Sequence, residues 1–419
     1  MSAAVCEQPG RPERLEINGR GYAWPNRPVV VVCVDGSEAA YHERAVADGR
    51  MPFLERMLER GADLRADCTM PSFTNPNNLS IATGAPPSVH GICGNYFYDP
   101  DTGCEVMMND PGLLRAETLF ERFSQAGALV TVVTAKDKLR RLLGRGLRGG
   151  ICFSAEKASE TTEAEHGIGK VLERTGMAQP SVYSAELSEL VMAAGVAVLE
   201  SDRPQLTYLS LTDYIQHKHA PGSPVANDFY AMLDGYFEQI DALGAVLVVT
   251  ADHGMNAKTD GAGAAQVVFL QDVLDSRLGA GAARVVLPIT DPYTVHHGAL
   301  GSYATVHLPP GADLPALGDE VRGLPGVAEV LTREEACVRF ELPGDRIGEL
   351  VVIAERNTTL GTTPERHDIS GFAEPLRSHG GLTEQRVPLL VNAPVDDLPE
   401  GHRLRNFDSF WIGTALAAR

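Results

Sequence analysis

No run of apolar residues in this 419-residue chain approaches the ~18–20 that a membrane span requires, which argues against a membrane protein. The N-terminus has no charged segment followed by an apolar one, so no secretory leader is visible. The seven cysteines (Cys6, Cys33, Cys68, Cys93, Cys104, Cys152 and Cys337) are scattered, odd in number and form no CxxC pair. They read as reduced thiols of a cytoplasmic protein. Basic residues are outnumbered, 36 against 55 acidic ones, for a net charge of −19. That balance argues against nucleic acid as the main partner. A small anionic substrate is not excluded, because a bound cation outweighs the global charge inside a site. There is no internal repeat and no low-complexity tract. The sequence does not set the oligomeric state, and a homodimer stays open.

The composition, 44% hydrophobic and 22% charged, is that of a soluble globular protein. Residues 1–27 are polar and read as an irregular arm. Val29–Val34 is a continuous β-branched run, as expected of a central parallel strand covered on both faces. MPFLERMLERG (Met51–Gly61) has helical spacing and a terminal Gly as C-cap. Asn75–Gly84 predicts a helix with Pro76 in its first turn. Strands are expected at Leu129–Thr134, Leu206–Leu211, Val246–Thr250 and Val387–Val391, and a helix at Glu186–Glu200. Such alternation predicts an α/β fold, a mostly parallel central sheet with helices on both faces. The pattern changes after Ala257. Residues 303–355 read strand, helix, strand, turn, strand, a small α+β unit. The expected division is a discontinuous core, 1–256 and 370–419, with an inserted cap at 257–369.

The expected strands share an ending. VVVVCVDG leads to Asp35, LTYLSLTDYIQH to Asp213 and His217, and AVLVVTADHG to Asp252 and His253. RSHGG adds His379. Ligands of open α/β sheets collect outside the carboxyl ends of the strands. Carboxylates crowded there repel one another unless cations lie between them. Mixed imidazole and carboxylate donors suit Zn²⁺ better than Mg²⁺ or Ca²⁺. Asp213 and His217 lie four apart, on one face of a helical turn. Asp35 is equally suited to capping a helix, and His379 to a plain loop. In MPSFTNPNNLSIATG, Thr74 precedes a helix, where a hydroxyl is ordinarily an N-cap. The same position suits a nucleophile beside the positive end of a helix.

Taken in order, Asp35, Thr74 in FTNPNN, HGICGN with Asn95, Asp213-x₃-His217, Asp252-His253-Gly254 and His379-Gly380 resemble the alkaline phosphatase superfamily. The similarity is greater to its nucleotide pyrophosphatase/phosphodiesterase branch. The resemblance implies an alkaline phosphatase-like core and two zinc ions per chain. One zinc would be held by Asp213, His217 and His379, the other by Asp35, Asp252, His253 and the Thr74 oxygen. It makes Thr74 the nucleophile and Asn95 a contact of the phosphoryl group. His219, His296 and His297 have no place in that pattern. Within the branch, MPSFTNPNN, TAKDKL and PITDPYTVHHGALGS are similar to the members that cleave phosphonoacetate to acetate and phosphate.

Lys136 and Lys138 follow the strand Leu129–Thr134, so they are expected at the same sheet edge as the metal ligands. Two cations there would bind a second anion on the substrate, such as the carboxylate of a small phosphonate. The expected activity is hydrolysis of that carbon–phosphorus bond through a phosphothreonine. A zinc phosphodiesterase or nucleotide pyrophosphatase acting on P–O bonds is the alternative. A non-catalytic sensor would be expected to lack Thr74 or a ligand, and a mutase would carry a serine nucleophile.

Overall fold

The run VVVVC, Val29–Cys33, is buried at all five positions and forms the central strand of a seven-stranded sheet. The structure is a computed structural model and describes residues 12–289, 300–367 and 375–419. Across the sheet the order is Ala62–Asp67, Arg386–Val391, Val246–Thr250, Val29–Cys33, Leu206–Ser210, Val130–Thr134 and Ile151–Ser154. The last five pair in parallel. Arg386–Val391 runs antiparallel to both of its neighbours.

Successive side chains of a strand point to opposite faces. Val29, Val31 and Cys33 therefore join one buried apolar cluster, and Val30 and Val32 the other. Helices Thr74–Thr83, Leu119–Gln125 and Ser409–Ala417 cover the first face through Leu79, Phe120 and Phe410. Helices Pro52–Arg60, Glu186–Ser201 and Pro224–Ala242 cover the second through Met57, Leu190 and Tyr230. No described helix is long and apolar enough to cross a membrane.

Register brings the strand ends together. Cys33 is level with Thr250 and Ser210, and Ser210 with Thr134. Asp35, Asp252 and Lys136 each follow two residues later, and Asp213 three. Four adjacent strands thus deliver three carboxylates and one cation to one edge.

A second sheet, ordered Arg284–Val286, Tyr303–His307, Leu350–Ala354 and Val327–Thr332, is antiparallel throughout. Helices Leu314–Arg322 and Arg333–Phe340 accompany it. The second helix replaces the turn expected between the last two strands. A capping box, Thr332 with Glu335, starts it.

Two other expectations need correction, the irregular N-terminal arm and the N-cap role of Thr74. The polar N-terminal arm is ordered where it is described: Arg14–Ile17 and Arg20–Ala23 form a hairpin whose Tyr22 is fully buried. Gly61 is the C-cap of Pro52–Arg60 as expected, though its φ of −111° is not left-handed. A Cβ there would lie 2.1 Å from the carbonyl of Val391, so close approach is what requires glycine. Thr74 is the first helical residue and not the N-cap, which is Phe73.

The loop ahead of Thr74 is pinned by one side chain. Asn77, fully buried, accepts from the Thr69 amide (2.6 Å) and hydroxyl (2.9 Å). It donates to the carbonyls of Thr69, Pro71 and Phe73. Leaving such groups unpaired costs about 1–3 kcal/mol each. Asn77→Ala is expected to destabilise the fold by about 2–3 kcal/mol. Denaturant unfolding monitored by circular dichroism measures it.

Candidate active site

At the carboxyl ends of the strands, Asp35, Asp213, His217, Asp252, His253 and His379 are all buried. Asp213, His217 and His379 each bring one donor atom to within 4.8 Å of the others, and so do Asp35, Asp213 and His253. His217 Nε2 lies 2.9 Å from Asp213 Oδ2, and His253 Nε2 lies 3.3 Å from Asp35 Oδ1. Asp252 belongs to neither trio. Its Oδ1 accepts from the amides of Gly36 and His253, and its Oδ2 from Asn78 Nδ2. The Thr74 hydroxyl is 3.3 Å from His253 Nε2.

The three histidines are oriented by the same device. Nδ1 of His217 donates to the carbonyl of Arg377 (2.9 Å), that of His253 to Gly254 (2.9 Å) and that of His379 to Ser72 (2.8 Å). A carbonyl only accepts, so each Nδ1 carries a proton and a neutral ring keeps its Nε2 lone pair for the site. The rings of His253 and His379 stack with centroids 3.6 Å apart.

Electrostatics point to cations. Burial, then the charges of Asp213 and Asp252, push the Asp35 carboxyl well above its usual range. Burial, with Asp213 beside it, raises Asp252 as well. Burial and the neighbouring imidazoles hold His379 well below the usual histidine range. Asp35 Oδ1 is buried and accepts no hydrogen bond from the described residues. Crowded carboxylates, lone pairs aimed inward and an orphaned oxygen together fit metal binding.

A cavity of about 630 Å³ opens on this floor, and Asp35, Thr74, Asn95, Asp213 and His379 line it together with Lys136 and Lys138. Lys136 is the N-cap residue of the helix Asp137–Leu143 and Lys138 lies in its first turn. Lys136 is close enough to stabilise the Asp35 carboxylate. Asn95 donates from Nδ2 to the Ile289 carbonyl (3.2 Å), and its buried Oδ1 has no partner among the described residues.

Sequence reasoning missed several participants. Arg141, Lys157 and Tyr183 line the same cavity. Asn78 bridges Asp252 to Tyr208 and Ser210. Its place one helical turn after Thr74 was an available signal. His219 is a helix C-cap whose carbonyl accepts from Tyr41. His296 and His297 lie outside the described residues.

A profile of the type I phosphodiesterase/nucleotide pyrophosphatase family matches residues 29–381, a span that takes in every one of these side chains. The chain belongs to that family. Two structures of phosphonoacetate hydrolase from Sinorhizobium meliloti 1021, one with phosphonoformate and one with phosphonoacetate, are 57% identical to it. Each superposes with a TM-score of 0.94 over 96% of this chain and 99% of the other. Murine ectonucleotide pyrophosphatase/phosphodiesterase 5, 17% identical with a TM-score of 0.62, shares the fold. Among curated proteins, ectonucleotide pyrophosphatase/phosphodiesterase 1 of Saccharomyces cerevisiae is 26% identical over 300 residues, 59% of this chain. The chain spans 36% of that relative's length and 45% of a Schizosaccharomyces pombe relative's.

Gly380 holds the family member's late histidine in place. Its φ is +116°, and a Cβ there would lie 2.3 Å from Cε1 of Phe73, whose ring packs edge-on against His379. Gly380→Ala is expected to cost about 2–3 kcal/mol or more. Denaturant unfolding of the metal-free chain gives the value.

Proposed function

We propose that this chain hydrolyses the carbon–phosphorus bond of phosphonoacetate to acetate and phosphate, with two zinc ions per chain, in the cytoplasm. The observation that supports the reading is one cavity lined by two unlike groups, a cradle whose cations would take up a phosphonate and a pair of lysines. A cradle of buried Asp and His residues with Thr74 lies at its floor, and Lys136 and Lys138 are in its wall. A substrate with a phosphonate at one end and a carboxylate at the other matches both. The high similarity to a hydrolase solved with phosphonoacetate supports the same substrate.

Asp213, His217 and His379 would hold one ion, and Asp35, Asp252, His253 and Thr74 the other. Such ions supply Lewis acidity, lowering the pKa of hydroxyl and water and neutralising phosphoryl charge. Thr74 Oγ1 gives its proton to solvent water and attacks phosphorus, so that a P–O bond forms as the P–C bond breaks and a phosphothreonine results. Asn95 offers its second amide N–H to a phosphoryl oxygen as charge develops. The departing acetate fragment carries the bonding pair, spreads it into its carboxylate as an enediolate, and then takes a proton from water. Lys136 and Lys138 stabilise that charge, each well-placed donor contributing about 3–4 kcal/mol. Water cleaves the phosphothreonine to release phosphate and restore Thr74. We include the unit of residues 257–369 in this proposal as a cap over the core.

Thr74→Ala is expected to abolish turnover and leave the fold intact. Retention of more than about a tenth of wild-type kcat, less than ~1.4 kcal/mol of barrier, would mean that water attacks phosphorus directly.

The lysines test the substrate. Alanine at Lys136 or Lys138 is expected to lower kcat/KM for phosphonoacetate by roughly 10²-fold or more, about 2.7 kcal/mol. Hydrolysis of a p-nitrophenyl phosphodiester, which has no carboxylate to hold, is expected to change by a few-fold only. Equal losses on both substrates favour the second reading, a zinc phosphodiesterase, which the family membership itself supports.

A further inference from the structure

The two stacked histidines sit on separate turns, His253-Gly254 and His379-Gly380-Gly381, and one residue behind the site touches both. Glu384, in the turn Leu382–Glu384, is fully buried. Its Oε2 accepts from the Gly381 amide at 3.0 Å. Its Oε1 accepts from Asn256 Nδ2 (2.5 Å), Lys258 Nζ (2.9 Å) and Thr383 Oγ1 (2.6 Å). Its backbone carbonyl accepts from the Gly254 amide at 2.7 Å. Lys258 is also fully buried and spends a second bond on the carbonyl of Arg356 (2.8 Å).

These contacts complete a closed frame. Asn256–Ala257, just after His253, pairs antiparallel with Arg377–Ser378, just before His379. The two turns therefore leave a common ribbon, and Glu384 ties their far sides together. A buried ion pair is a weak source of stability, because desolvation offsets much of the attraction. Its worth here is geometric. His253 and His379 belong to different donor trios. Their offset therefore sets the spacing of whatever the two trios hold.

We propose that Glu384 is a positioning residue that, with Lys258, clamps the two histidine turns and so fixes the separation of the two metal positions. The inference rests on the two-metal reading above. Neither Glu384 nor Lys258 lines the cavity, so any effect of the clamp on chemistry passes through the histidines. Glu384→Gln keeps the side chain's size but leaves a single acceptor oxygen for four donors. The clamp then loosens without opening a void.

The test is a zinc titration of metal-stripped protein against a chromophoric chelator, with folding checked by circular dichroism. Wild type is expected to bind two ions. Folded Glu384→Gln is expected to bind at least one of them 10–100-fold more weakly, the range for outer partners of metal ligands. Its kcat is expected to recover with excess zinc while KM for phosphonoacetate stays near wild type. A residue that only stabilised the fold would leave the affinity of the folded protein unchanged. Wild-type affinity at both sites in folded Glu384→Gln overturns the clamp. Should that variant not fold, Asn256→Ala cuts one of the links to Oε1 and spares the ion pair. A weakening in the same direction supports the proposal, and unchanged affinity overturns it. A wild-type chain that binds one ion or none overturns the two-metal reading, and the clamp with it.

Discussion

Mutual repulsion among buried carboxylates governs this structure's site. Asp35, Asp213 and Asp252 are at most 7% exposed and stand beside one another at the ends of three parallel strands. Two like charges 4 Å apart repel by about 4 kcal/mol at an effective dielectric constant of 20. Three such groups stay ionised together only with cations among them. Parallel strands force the crowding, because they point all their carboxyl ends at one edge. The histidines aim Nε2 at the same place, because their Nδ1 atoms are bonded to backbone carbonyls.

Holding that arrangement takes a second layer made largely of backbone. The carbonyls of Ser72, Arg377 and Gly254 choose the tautomer of the three rings. Ser72 is itself bonded through its hydroxyl to the Gly381 carbonyl (2.7 Å). The strand ends, the loop before Thr74 and the late glycine turn are therefore a single mechanical unit. The cavity above it is lined unevenly, with Asp35, Asp213 and His379 joined by Lys136 and Lys138. Lys136 and Lys138 follow the next parallel strand, Val130–Thr134, and not the strands that lead to the carboxylates.

Much of this was legible in the sequence, for a physical reason. A strand covered on both faces must be apolar throughout, so Asp35, Asp213 and Asp252 stand out where those runs end. What escaped depends on contacts that composition does not carry. The hairpin Arg14–Ala23 has polar strands of four residues, and only its packing buries Tyr22. Helix Arg333–Phe340 reads REEACVRF, too polar to announce itself, although Thr332 and Glu335 spelled out a capping box. Asp252 illustrates a subtler limit. Its place beside His253 was expected, but the three hydrogen bonds that hold its oxygens come from Gly36, Asn78 and the His253 amide. The carbonyls that orient the histidines belong to residues whose side chains give no hint of that role.

A metal cradle and a lysine pair in one cavity are proposed to select a substrate bearing both phosphonate and carboxylate. Competition measures it most directly. Zinc-loaded wild-type protein is given equal concentrations of phosphonoacetate and a p-nitrophenyl phosphodiester in one vessel. Acetate and phosphate are followed by nuclear magnetic resonance, and nitrophenol by absorbance. Acetate and phosphate are expected in equal amounts, with kcat/KM favouring phosphonoacetate by roughly 10²-fold or more. Release of nitrophenol without acetate would contradict that selection.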